Sequence, residues 1–132
     1  MAAFDVRMKE LFDEVDHYIE DIYGDKYNLH PMRPKRGTTA NPEADGLFNI
    51  AAVFTPGYRS DLGRGYLIDM VMSTLEAVDP DIRQEIYSVA AVKVRELLPV
   101  FFPDRPLEVH RDRNHYKILG DFSLGNTIDS IK

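Results

Sequence analysis

Residues 47–54 and 66–75 are two apolar segments of nearly matched length, joined by the connection Thr55-Pro-Gly-Tyr-Arg-Ser-Asp-Leu-Gly-Arg-Gly65. Apolar runs this short fit either a strand or a buried helical segment. Leu67, Val71, Leu75 and Val78 do repeat at helical spacing. The glycines at 57, 63 and 65 and the matched lengths favour an antiparallel hairpin instead. Side chains alternate across a strand, so Phe48, Ile50, Ala52 and Phe54 share one side of the first segment. Tyr66, Ile68, Met70 and Met72 share one side of the second. The reverse side carries Ala51, Val53, Leu67 and Val71, more apolar than a solvated sheet surface. These four residues form a candidate interface, to be covered by a second layer of this chain or by another copy of it.

The remaining elements follow from punctuation and period. Phe4, Met8, Leu11, Phe12, Val15, Ile19, Ile22 and Tyr23 recur at steps of three and four, predicting an amphipathic helix over residues 3–23 that Gly24 ends. Its other side carries Glu10, Asp13, Glu14, His17, Glu20 and Asp21. Asp13, His17 and Asp21 have the spacing of a metal face, but a solvated acidic stripe is the simpler reading and no metal is assigned. Asp79-Pro-Asp81 is a helix start, with a side-chain acceptor, a first-turn proline and a charge matched to the dipole. The stripe Ile82, Ile86, Val89, Ala90, Val94, Leu97 and Leu98 follows, and Pro99 predicts that the helix stops or kinks near Leu98. Residues 107–111 and 115–119 read as a second hairpin turning through Asp112, Arg113 and Asn114. His110 and His115 are placed on opposite faces by strand alternation, which argues against a metal site there.

The expected order is helix, strand, strand, helix, strand, strand. That is an α+β two-layer sandwich, two helices on a four-stranded antiparallel sheet, the simplest way to bury both apolar stripes. The 132 residues suit a single domain over 1–125 with a tail at 126–132. There is no cysteine, the first residues lack a signal-peptide core, and no apolar run can span a bilayer. The cytoplasm is the expected compartment, without membrane association. A net charge of −6 disfavours nucleic acid as a partner.

Charge is nevertheless uneven. Residues 26–42 hold Lys26, Arg33, Lys35 and Arg36 and no acid, within a proline-rich irregular crossing. Arg33 and Arg36 are candidate ligand-binding residues for a phosphate or carboxylate, since guanidinium forks match such anions. The competing reading is that these cations offset the acidic first helix. Arg59 and Arg64 in the glycine-rich hairpin tip are further candidates, and they are also the nearest partners for Asp69, a carboxylate inside an apolar strand.

Two functions from different classes follow. The favoured one is a non-enzymatic protein-interaction or self-assembling module, a homo-oligomer or the binder of a protein partner, using Ala51, Val53, Leu67 and Val71. The alternative is a small-molecule enzyme or sensor that grips an anionic group with Arg33, Arg36, Arg59 and Arg64, with Asp69 or His30 as the proton carrier. Serine, histidine and carboxylate nowhere form an arrangement that names a reaction, and no motif calls for a cofactor.

Overall fold

The structure, a computed structural model, describes residues 2–56 and 65–120. Its elements are α1 (Ala2–Tyr23), β1 (Phe48–Thr55), β2 (Gly65–Met72), α2 (Pro80–Phe101), β3 (Glu108–Asp112) and β4 (His115–Leu119), with a 3-10 turn at Pro42–Ala44. The fold is the expected α+β arrangement, and all the strand pairs are antiparallel, in the order β1-β2-β4-β3. The hairpin tip and the 126–132 tail lie outside the described residues.

The alternation read from the sequence sets the sheet's inner side. Phe48 pairs with Met72, Ile50 with Met70, Ala52 with Ile68 and Phe54 with Tyr66, so residues 66–72 are strand and not helix. Phe48, Ile50, Ile68, Met70, Val109 and Ile118 enter one core with Leu11, Phe12, Val15 and Ile19 of α1 and Ile86, Ala90, Val94 and Leu98 of α2. Burying such side chains is worth roughly 1.5 to 3 kcal/mol each. That is why the two stripes meet on the same face of the sheet.

α2 begins as its sequence implies, with the Asp79 carboxylate accepting from the Asp81 amide at 2.8 Å and Pro80 in the first turn. It does not stop at Leu98. Helix continues through Pro99 to Phe101, and the Phe102 amide closes the last turn on the Leu98 carbonyl at 2.8 Å. A proline this close to a helix end removes one ladder bond, and Leu98 and Phe102 stay in the core on either side of it.

β2 and β4 pair only over residues 66–68 and 116–118. Tyr87 of α2 ends that pairing. Its hydroxyl donates to the Ile68 carbonyl at 2.5 Å and accepts from the Tyr116 amide at 2.9 Å, standing where a direct backbone bond would otherwise form. Burial raises the Tyr87 pKa, so the phenol remains a donor. One turn earlier, Arg83 takes the next free carbonyl, that of Met70.

The second hairpin corrects one expectation. Asp112 pairs with His115 and His110 with Lys117, so His110, Asp112 and His115 all lie on the outer side. Alternation along one strand does not carry through a two-residue turn, because cross-strand partners share a face. His110 meets Glu108 at 3.0 Å and Asp112 meets Lys117 at 3.4 Å.

Candidate interaction surface

α1 lies along the open edge of β1 and serves it chemically. An edge strand presents unpaired amides and carbonyls, and a buried one needs partners for them. The Phe48 amide donates to Glu20 Oε2 at 2.7 Å and the Ile50 amide to Asp16 Oδ2 at 3.2 Å. The two carboxylates are one helical turn apart, matching the step between alternate strand residues. Glu20 is therefore not part of a solvated stripe: it is 6 % exposed and Asp16 is 1 %. Burial pushes the Asp16 carboxyl up to about 8, against the lowering effect of the Ile50 amide, and raises Glu20 in the same way.

Glycine makes room for Glu20. A Cβ on Gly46, which has a φ of 77°, would stand 2.5 Å from Glu20 Oε2, and one on Gly24 would stand 2.8 Å from Oε1.

Arg33 completes this plug. Its guanidinium donates to the carbonyls of Glu43 at 2.7 Å, Gly46 at 2.9 Å, Asp45 at 3.1 Å and Phe48 at 3.2 Å. Arg36 donates to the His17 carbonyl at 3.2 Å and pairs with Asp21 at 2.8 Å. The basic crossing thus lies against the acidic helix and ties the start of β1 to it. Arg36 also borders a cleft of about 510 Å³, which Lys35, Glu20, Asp25 and Gly46 help to line. His30 donates its amide to the Ser73 carbonyl at 2.8 Å, and its Nδ1 accepts from the Met32 amide at 3.0 Å. Arg59 and Arg64 lie outside the described residues, as would any pairing of theirs with Asp69.

The plug covers only the first half of the edge. α1 crosses the sheet obliquely: Glu20 and Asp16 sit at the β1 edge, while Phe4 near its other end stacks on Tyr66 of β2, with ring centroids 5.9 Å apart. Among the described residues no side chain of α1 hydrogen-bonds the edge beyond Ile50. Among the described residues nothing hydrogen-bonds the outward-facing main-chain groups of Ala52 or Phe54. The Phe54 side chain is 53 % exposed.

On the outer side, cross-strand register sets Val53 beside Leu67, Ala51 beside Asp69 and Asn49 beside Val71. The four candidate interface residues therefore form one contiguous patch. Val53 and Val71 are 46 % and 45 % exposed, and Ala51 and Leu67 are half-buried. Half-buried Asp69 sits within the patch, with no cation or donor bonded to its carboxylate among the described residues. Lys117, next to Leu67 across β4, is by contrast 4 % exposed. The outer side is thus buried at Lys117 and open at Val53 and Val71 of the β1–β2 ribbon.

Sequence reasoning located the patch but missed the buried carboxylates and the open edge. Asp16 and Glu20 did carry a signal: they lie four apart and border the apolar positions Val15 and Ile19 of the same helix.

By fold this is an α+β protein whose distinguishing surface is a sheet ribbon with one apolar side and a half-plugged edge. The chain belongs to a protein family described as "Uncharacterised protein", whose profile matches residues 1–120. It is similar to an uncharacterised protein of Borreliella burgdorferi, 42 % identical over 109 residues that cover 83 % of this chain and 85 % of the relative. No solved structure matches it. No helix among the described residues is long and apolar enough to cross a membrane.

Proposed function

We propose that this protein is a non-enzymatic module that self-associates through the β1–β2 ribbon. One observation carries the reading: the contiguous outer patch of Ala51, Val53, Leu67 and Val71, whose exposed valines stand on a sheet packed against the core from its other side. A contiguous exposed apolar patch on a charged protein supports a contact site. The cytoplasm is taken as its compartment, which a chain without cysteine tolerates. Light scattering from the purified chain tests the reading. A defined oligomer at micromolar concentration is expected, and Val53→Glu, at an exposed position, should give a folded monomer. A monomeric wild type at high micromolar concentration contradicts it.

A second reading keeps the anionic ligand. It is supported by Lys35 and Arg36 at the 510 Å³ cleft, where both cations border open space. Arg33 would then act from behind, by fixing the cleft's wall through its carbonyl bonds. A thermal-shift screen with inorganic phosphate, sugar phosphates and carboxylates tests it, since a ligand of the native state raises the melting point. A flat response removes it.

A further inference from the structure

We infer that the self-association is made edge to edge, with β1 of one copy pairing antiparallel with β1 of a second about a two-fold axis at Val53. This rests on the reading above and specifies its geometry. Natural sheets guard their edges with charge, proline, bulges or cover. Residues 47–56 contain no charged side chain, and the described cover ends at Ile50. The only proline is Pro56, at the far end.

The open stretch is bounded at both ends, and one register alone pairs its open residues reciprocally throughout. Asp16 already occupies the Ile50 amide, and Pro56 has no amide to offer. What remains with both groups open is Ala52 and Phe54, each with an outward-facing donor and acceptor, while Ile50 keeps only its carbonyl. Two strands related by a two-fold axis at Val53 set Ala52 of each opposite Phe54 of the other. Each such pair exchanges amide and carbonyl reciprocally, as hydrogen-bonded antiparallel pairs do. A register shifted by two residues in either direction sets Ala52 opposite Pro56 or Phe54 opposite Ile50, and each such pair makes one bond instead of two.

Side chains fit the same register. On the inner side the exposed Phe54 ring of one copy falls beside the small Ala52 of the other, at both ends of the contact. On the outer side Val53 meets Val53 of the second copy. The partner is therefore a second copy of this chain: the donors and acceptors of Ala52 and Phe54 on two such edges satisfy each other, and no charge of this segment is left facing another, although each copy carries a net −6. The product is one continuous sheet with the apolar patches of both copies adjoining.

Because the chain has no cysteine, a single introduced thiol reports the axis. At a non-hydrogen-bonded antiparallel pair the Cα atoms are about 4.5 Å apart, within the roughly 4.4 to 6.8 Å that a disulfide spans. Full-length Val53→Cys under mild oxidation should become a covalent dimer, whereas Leu67→Cys, one strand further from the axis, should not. Ala52→Pro deletes an edge donor that faces away from β2, a place where proline is tolerated. It should weaken the dimer roughly thirtyfold, through loss of one main-chain bond on each side of the axis. If that variant fails to give a native circular-dichroism spectrum, the thiol pair decides alone. A dimer that Ala52→Pro spares and Val53→Cys does not trap overturns edge pairing while leaving self-association in place. A dimer dissolved by Leu67→Glu but not by Ala52→Pro does the same, in favour of stacked faces. A wild type that never associates overturns both.

Discussion

Replacing Asp16 by Asn should make the protein more stable at neutral pH and remove much of its pH dependence. In the folded chain burial raises this carboxyl from 3.8 to about 8, so it is protonated where an unfolded Asp is ionised. Between those values the native state binds the extra proton, and stability therefore falls as pH rises. The effect is absent below the unfolded pKa and complete above the folded one. At 1.36 kcal/mol per unit, the loss is about 1.4 kcal/mol for each pH unit between pH 5 and 7, or about 3 kcal/mol over that range. Asn retains an oxygen for the Ile50 amide and does not ionise. Urea unfolding of both proteins at pH 5, 6, 7 and 8, followed by circular dichroism, gives the two slopes. Asp16→Asn should overtake the wild type as pH rises, the remaining decline coming from Glu20, whose shift has the same sign. Parallel curves would refute the buried-carboxyl argument, as would a wild type whose stability climbs from pH 5 to 8.

Gly46→Ala should cost at least about 2 kcal/mol in the same urea titration, because it combines a left-handed φ with a Cβ driven into the Glu20 carboxylate. Tyr87→Phe leaves the Ile68 carbonyl and the Tyr116 amide without their shared hydroxyl, so it should lower stability by about 1 to 3 kcal/mol, read from thermal denaturation. The Tyr116 amide should exchange with solvent faster in that variant.

The ribbon was legible in the sequence because strand alternation is a local signal. The register pairing Ile50 with Met70 and Ala52 with Ile68 puts together the residues that alternation had set on one side. The start of α2 was legible for the same reason, since Asp79, Pro80 and Asp81 act within one turn. Glu20 looked solvated, and Asp16 drew no reading, because a helix read alone shows only its own stripe. Their burial depends on β1, about thirty residues further on, lying alongside with its amides uncapped. The shared face of His110 and His115 depends on pairing through a turn, and Pro99 was tolerated because core contacts on both sides outweigh one lost ladder bond. Arg33 was read as a ligand candidate from its type, and its four carbonyl partners were fixed by the path of residues 43–48, which composition does not encode.

Amide hydrogen exchange at Ala52 and Phe54, followed by NMR at a series of protein concentrations, tests the β1 contact most directly. Phe48 and Ile50 serve as internal references, because their carboxylate acceptors belong to the same chain. The account predicts that Ala52 and Phe54 are protected at high concentration and lose that protection on dilution, while Phe48 and Ile50 do not change. Exchange of Ala52 and Phe54 at the rate of free peptide at every concentration would contradict it.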